Sequence, residues 1–543
     1  MSKDFNEIVR HIVDMGGVVE ESKASEVYVR VPRDRLKDFA RYLYESGAYL
    51  KTCVGVDERQ LNGLFAVYYI FGLDELGKDI VLRALAPEDD AWVESIASEV
   101  PAADWCELEF RDLVGIEPKN RLVKRLVLPD DWPDGVYPLR KEFKHDTRPP
   151  RTFKEEIAEE VGIPVGPYHP ALHEPEYFEL FVEGEKVVDV AYRGFHVHRG
   201  IEKLAESPRF TYKQVPFLAE RICGICGFVH STCYVMAVEK AAGIEVPERA
   251  EFIRSIVLEV ERLHSHLLWL GVAAHLLGYD AGFMHAWRIR ERVMVLAEYL
   301  TGSRKTYGIN LIGGVRKDIE VDKIDKTMKT VASVKEEFGK LVEAMLSVPQ
   351  IKSRASKTGV LSRSEARALS VVGPVARASG LYRDIRKDYP YLAYRRVSFK
   401  VPLYTEGDNL ARLLVRVDEV FESLEIIKQL VDSLPGGSIS VEEYEIPAGR
   451  KAVAAIEAPR GEDVHFIITG VGRPYRWRVR APTYQNIPAL RAMLRGAPLA
   501  DAPLTIASID PCFSCTDRVV VYDVGSGKRS SMRIIGGVQA VGS

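Results

Sequence analysis

Four cysteines in two close pairs carry the strongest chemical signal in this chain. Cys223-Gly-Ile-Cys226 and Cys512-Phe-Ser-Cys515 each set two soft sulfur donors three positions apart, within reach of one metal ion. On spacing alone several chemistries stay open: a structural zinc site, an iron–sulfur cluster, a redox disulfide in either pair, or buried thiols that bind nothing. A structural zinc site usually closes a loop of about 15–20 residues between its pairs. These pairs lie far apart in the sequence. Cys53, Cys106 and Cys233 stand outside the pairs and read as structural. Seven cysteines in 543 residues do not make a disulfide scaffold.

The chain that must position those thiols has an ordinary globular composition. Hydrophobic residues make up 46% and charged residues 28%, which excludes disorder and low complexity. With 74 Lys and Arg against 78 Asp and Glu the net charge is −4, so no basic footprint for nucleic acid exists. The opening MSKDFNEIVR lacks the apolar core of a secretory signal. The longest apolar stretch, 267–277, is broken by His275 and is too short to span a bilayer. A soluble chain of several domains is expected, one able to dock on a membrane complex.

Periodicity supplies the elements. Residues 26–31 alternate like a half-buried strand that Pro32 ends, and 61–70 and 80–84 read as further strands. Segments 33–46 and 91–99 look helical. This is a small α+β domain over 1–145, followed by a polar, proline-bearing linker over 146–160. Strands at 177–182 and 187–192 flank a Glu183-Gly184-Glu185 turn. Apolar residues at three- and four-residue spacing predict long helices over 248–271, 283–299 and 324–348. Strand character returns at 452–457 and 465–469, around Ala458-Pro459-Arg460-Gly461. The expected fold is two-part: an N-terminal α+β domain, then a mainly α-helical domain with small β-sheets.

The flanks of the cysteine pairs narrow the chemistry. Arg221-Ile-Cys223-Gly-Ile-Cys226-Gly-Phe-Val-His230 and Asp510-Pro-Cys512-Phe-Ser-Cys515-Thr-Asp-Arg518 resemble the two signatures of NiFe hydrogenase large subunits, RxCGxCxxxH and DPCxxCxxH or R. His198-Arg-Gly-Ile-Glu202-Lys203, Gly166-Pro-Tyr-His-Pro170, Ile312-Gly-Gly-Val315 with Asp318, and Arg377-Ala-Ser-Gly380 are similar to the energy-converting, complex I-related hydrogenases. Arg125-Leu-Val-Leu-Pro129-Asp-Asp-Trp132 with Pro138-Leu-Arg-Lys-Glu-Phe143 resembles the C-type hydrophilic component of respiratory complex I. A C-type domain joined to a hydrogenase large subunit most resembles the formate hydrogenlyase type. The hydrogenase-like domain would then occupy 161–518, leaving 519–543 as a C-terminal extension.

That resemblance implies the reaction 2H⁺ + 2e⁻ ⇌ H₂ and a role for each residue. Cys223 and Cys512 would be terminal nickel ligands, with Cys226 and Cys515 bridging nickel to an iron that carries CO and cyanide. Arg221, His230 and Arg460 would offset the thiolate charge, with Arg460 overhanging the open nickel position. Asp510 would hydrogen-bond to the site, and Glu202 would carry protons. Plainer readings stand beside these: a surface salt bridge for Arg460, an exposed helix glutamate for Glu202, a satisfied helix-core histidine for His266. The chain has no further cysteine cluster, so iron–sulfur centres belong to a partner small subunit.

Ferredoxin-like electron-transfer subunits, integral membrane subunits, maturation proteins and an endopeptidase are also implied, at the cytoplasmic face of the membrane. The tail after Arg518 suits removal during maturation, with a permanent edge strand at 519–524 as the alternative. The first 145 residues supply no ligand, so docking to other subunits is their expected role. One rival is a complex I-like fusion of C-type and D-type components that handles quinone. Those enzymes lack the four cysteines and read HGVLR in a loop where this chain has His173-Glu174-Pro175. The other is a non-enzymatic scaffold holding structural zinc.

Overall fold

The computed structural model describes residues 4–150, 163–165, 176–195 and 198–512. Aromatic and β-branched runs in the first part form a five-stranded sheet from Val18–Ser22, Glu26–Arg30, Tyr49–Glu58, Leu64–Leu73 and Lys78–Ala86. Its spatial order is first, second, fifth, fourth, third, and only the second and fifth strands pair in parallel. Helices Phe5–Asp14, Leu36–Glu45 and Ala103–Val114 cover one face through Ile8, Phe39 and Phe110. Because the other face is covered too, Leu64–Leu73 is one continuous apolar run instead of an alternating one.

Two expected elements move. The strand expected at 61–70 runs Leu64–Leu73, because Arg59–Asn62 forms a short helical turn ahead of it. The helix expected at 91–99 does not form. Trp92–Glu94 is a strand paired in parallel with Glu117–Lys119, and Ser95 and Ile96 then bond the buried carboxylate of Glu107. Trp and Val suit a pleated surface, and that pairing overrides the weak helical pattern.

The second part is a helical core with a small sheet against it. Long helices Gly227–Ala242, Glu248–Leu276, Asp280–Thr301, Val321–Ser347 and Asn409–Asp432 share one hydrophobic core. The central one, Glu248–Leu276, is buried on all sides along most of its length, its charged Arg254, Glu261 and Arg262 being bonded to groups on other elements. Strands Lys451–Ala458, Gly461–Thr469 and Pro474–Arg480 form an antiparallel meander that turns Ala454, Ile467 and Trp477 toward the helices. Its opposite face, Val453, Val464, Phe466 and Ile468, packs on Tyr28, Val54, Tyr68, Ile70 and Val81 of the N-terminal sheet. The inner meander is thus sandwiched between the helical core and the N-terminal domain. Strands Tyr177–Glu183 and Lys186–Arg193 form the expected hairpin, with Ile163–Val165 as third strand.

Candidate metal centre

Two chain segments bring the thiols together. Cys223 sits in the turn before the helix Gly227–Ala242, with the backbone N–H groups of Ile225 and Cys226 donating to its Sγ at 3.2 and 3.1 Å. Cys226 is that helix's N-cap residue, and its own N–H is one of the two that point at the Cys223 sulfur. Cys512 follows the helix Ala502–Ser508, which Trp269 and Arg412 anchor by bonds to the Ala507 carbonyl and the Ser508 hydroxyl, 2.6 and 2.8 Å. Its own N–H donates to Thr483 Oγ1.

The Sγ of Cys223 lies 2.9 Å from that of Cys226 and 3.2 Å from that of Cys512. These are three separate thiols, and none is more than 2% exposed. Cys515, like Arg518, the tail, Gly166–Pro170 and His173–Pro175, lies outside the described residues.

Arg460 crowns this cluster for reasons the backbone makes plain. It occupies the two-residue turn between Ala458 and Gly461, which pair across the hairpin. Gly461 has φ +124°, and a Cβ there would stand 2.6 Å from the Gly373 nitrogen. A Cβ on Gly373 would stand 2.4 Å from the Arg460 carbonyl oxygen. Two backbones touch here, and only glycine permits it. Arg262 holds the same hairpin from the other side by donating to the Glu457 and Ala458 carbonyls.

The Arg460 guanidinium then donates to the Asp510 carbonyl at 2.7 Å, Asp510 Oδ1 at 2.8 Å and Ser265 Oγ at 3.0 Å. Burial works against its charge. Asp510 and the sulfurs of Cys512, Cys226 and Cys223 outweigh burial and hold its pKa well above the ordinary value. Arg460 is buried, so the surface salt-bridge reading does not apply.

The remaining expected residues divide. His230 is buried beside Asp463, whose Oδ2 lies 3.0 Å from His230 Nδ1 and 3.2 Å from His465 Nε2. Burial disfavours the His230 imidazolium, but Asp463 more than offsets it and the pKa rises. The three side chains are compact enough to hold an ion, their ligand atoms lying within 4.8 Å of one another.

Arg221 departs from expectation. Its side chain is 55% exposed, lies over the Tyr307 ring and pairs with Glu220, so it does not reach into the thiol cluster. What the Arg221 segment does offer is backbone: Arg199 donates to the Arg221 and Ile222 carbonyls, both at 2.6 Å, tying the Glu202 motif to the cysteine turn.

Glu202 is buried, not exposed. It accepts from Arg476 at 2.7 Å, from the Val479 N–H at 3.0 Å and from Arg478 at 3.4 Å. His266 is buried and its Nε2 bonds Glu419 at 2.8 Å, within a network of Arg262, Arg377 and Glu419, while its Nδ1 has no partner among the described residues. Cys53, Cys106 and Cys233 are buried, and the Cys233 thiol donates to the Ala454 and Asp463 carbonyls.

Sequence reasoning missed several neighbours. Glu261 caps the helix Gly227–Ala242 through the Phe228 and Val229 N–H groups, and burial pushes its carboxyl up to about 8. His264, one turn on, is fully buried with neither ring nitrogen bonded among the described residues, and burial holds its pKa down to about 3. Asp510 Oδ2 likewise has no partner among the described residues. The signal was present: Glu261, His264 and Ser265 are three and four apart and so share a helix face. Three soft donors, a buried cation above them and unpartnered polar atoms around them suit a thiolate-bound metal centre.

Comparison with known proteins agrees. The model of the respiratory-chain NADH dehydrogenase 30 Kd subunit matches residues 29–149, and that of the 49 Kd subunit matches 277–448 and 439–518. Between them, the nickel-dependent hydrogenase model matches 199–278. Formate hydrogenlyase subunit 5 of Escherichia coli is 46% identical over 93% of this chain and 91% of its own length. Hydrogenase-4 component G of the same organism is 44% identical over 94% and 91%. A chain of the membrane-bound sulfane sulfur reductase, an archaeal respiratory membrane complex, superposes with TM-score 0.63 at 34% identity, covering 66% of this chain and 98% of that one.

The chain therefore belongs to the NiFe hydrogenase large subunits of the energy-converting, complex I-related group, with a domain of the respiratory 30 Kd type at its N-terminus.

Proposed function

We propose that this chain is the catalytic subunit of a membrane-associated hydrogenase and that Cys223, Cys226, Cys512 and Cys515 hold its nickel–iron centre. The observation that carries this is the convergence of three buried thiols whose first and last members are 289 positions apart. When bound, the centre supplies the site at which 2H⁺ + 2e⁻ ⇌ H₂ takes place. The chain's own residues do the rest. Arg460 keeps a permanent positive charge against the thiolates and is fixed in place by Asp510 and Ser265. The Ile225 and Cys226 N–H groups stabilise negative charge on the Cys223 sulfur. Glu202, held in fixed orientation by two arginines, moves protons.

The finer assignments complete this reading. Iron carries CO and cyanide. Electrons arrive from an iron–sulfur subunit, and membrane subunits anchor the complex at the cytoplasmic face. Among the described residues no helix is long and apolar enough to cross a membrane, which agrees with attachment through partners. We divide the chain at 1–145, 146–160, 161–518 and 519–543, with the last segment removed after Arg518. Intact mass of the nickel-loaded chain tests that cut.

The deciding experiment measures nickel, iron and zinc in the purified complex together with hydrogen evolution. About one nickel and one iron per chain are expected, both lost in Cys226→Ser and Cys512→Ser. Zinc in place of nickel, with no hydrogen evolved, would establish the scaffold reading instead.

A further inference from the structure

The seam between the N-terminal domain and the strand Pro474–Arg480 contains a row of ionisable side chains that starts at Glu202. Glu202 and Glu206 are four residues apart at the helix Ile201–Ala205, so their carboxylates project from successive turns of one face. Both accept from the same nitrogen, Arg476 Nη1, at 2.7 and 3.3 Å. A single water can bridge a gap of that kind. Arg476 is itself tied across the seam by donating to the Gly55 carbonyl.

The other Glu206 oxygen takes a bond from Lys141 Nζ at 2.8 Å, and Lys141 belongs to the N-terminal domain. Beside it, Lys203 Nζ donates to the Arg140 carbonyl at 2.7 Å. The row ends where the Lys141 N–H and Arg59 bond Asp57, and Arg59 pairs with Glu142 at the surface. Side-chain exposure is low at the inner end, 7% at Glu202 and 3% at Glu206, and rises outward to 14% at Lys141 and 59% at Glu142.

We propose that this seam is a proton path, with Glu206 and Lys203 as relays between Glu202 and solvent and with the N-terminal domain supplying its outer wall. The proposal rests on the reading of Glu202 as the carboxylate that serves the metal centre. Inbound, the Lys203 ammonium gives one proton to the Glu206 carboxylate, breaking an N–H and forming an O–H. Glu206 passes that proton to the Glu202 carboxylate, and Lys203 regains one from a solvent hydronium ion, leaving water. Two such passages serve each hydrogen molecule, and the reverse sequence serves its oxidation.

Lys203 is suited to the task. Burial brings its pKa down to about 8, with Lys141 and Arg476 adding to the effect and Glu206 and Asp57 opposing it. It can therefore gain and lose a proton near neutrality, unlike a solvated lysine.

The test compares Glu202→Gln, Glu206→Gln, Glu206→Asp and Lys203→Met in the assembled, nickel-loaded complex. Nickel content should stay at the native level in all four. Glu206→Gln should slow hydrogen evolution about 100-fold, the scale of a positioned proton-transfer group, and raise the solvent deuterium isotope effect. Glu206→Asp should restore much of the rate, and Lys203→Met should share the raised isotope effect. A network that only braces the two domains would lower the melting temperature without touching the isotope effect, and that outcome overturns the proposal. If Glu202→Gln alone abolishes turnover while the Glu206 and Lys203 variants run at native rate, the seam is wrong and the Glu202 reading survives. If Glu202→Gln is itself fully active, that reading fails first.

Discussion

At the scale of single residues, Arg460 shows how much geometry a charge needs before it is useful. Three acceptors fix its fork, two of them on Asp510, the residue before Pro511 and Cys512. Lysine in its place keeps the charge but cannot satisfy that fork. Arg460→Lys should therefore keep nickel yet lose about 100-fold in turnover, the scale seen when one oriented electrostatic donor is lost. Hydrogen evolution per nickel reads this directly. Arg460→Met removes the charge and leaves Asp510 buried without its partner. A stability loss of about 3–5 kcal/mol is expected, the cost of breaking a buried pair, and thermal melting of the metal-free chain checks it.

Elements explain which parts of this site were legible beforehand. Arg460 was singled out only by its resemblance to the hydrogenase motif, whereas the cysteine pairs and the helix expected over 248–271 were readable because each is a short-range pattern, a three-residue spacing or a 3.6-residue period. Glu261 and Asp463 were not, because their partners come from other elements: Glu261 meets Phe228 and Val229, and Asp463 meets His230. Arg221 misled for the opposite reason. Its motif position is local, but its side chain turns outward onto Tyr307 while its carbonyl does the holding. The 91–99 segment failed because pairing with Glu117–Lys119 is non-local.

The hairpin at Gly461 yields an element-scale prediction. Gly461→Ala places a methyl against the Gly373 backbone at a φ that favours glycine, so the turn must shift and carry Arg460 with it. A loss of about 1–3 kcal/mol, typical of strained backbone positions, should accompany reduced nickel incorporation. Native melting and full nickel content in this variant would refute the account.

For the molecule as a whole, the N-terminal domain is built into the body of the chain. It covers Val464, Phe466 and Ile468, and its Glu109 grips Arg478 with two bonds at 2.8 and 2.7 Å. Deleting residues 4–150 should leave an insoluble or protease-sensitive remainder, scored by soluble yield and limited proteolysis. A soluble, nickel-bearing remainder would restore the simpler view of a detachable adaptor.

The same boundary should respond to pH. Burial, with Asp74 of the N-terminal domain adding its charge, raises the Asp388 carboxyl to about 7 from 3.8. The folded chain thus keeps a proton that the unfolded chain releases near pH 4. Its contribution to stability is full below that pH and is lost as pH rises through about 7. Allowing for partial exposure, roughly 1–2 kcal/mol should disappear between pH 5 and 8. Asp388→Asn should flatten that slope in urea titrations run at the two pH values.

The 289-position span from Cys223 to Cys512 also sets a timetable. Chains are synthesised from the N-terminus at about 5–20 residues per second, so the first pair leaves the ribosome tens of seconds before the last thiols exist. For most of that interval Cys223 and Cys226 form a half-site with soft donors and no Arg460 to cover it. A half-site of that kind accepts zinc as readily as any other thiophilic ion. Faithful loading is then a question of timing: whatever delivers nickel must wait for the end of translation, and something must keep the early pair empty until then. Ribosome-stalled chains ending before residue 452 should collect zinc on Cys223 and Cys226, and full-length chains should not.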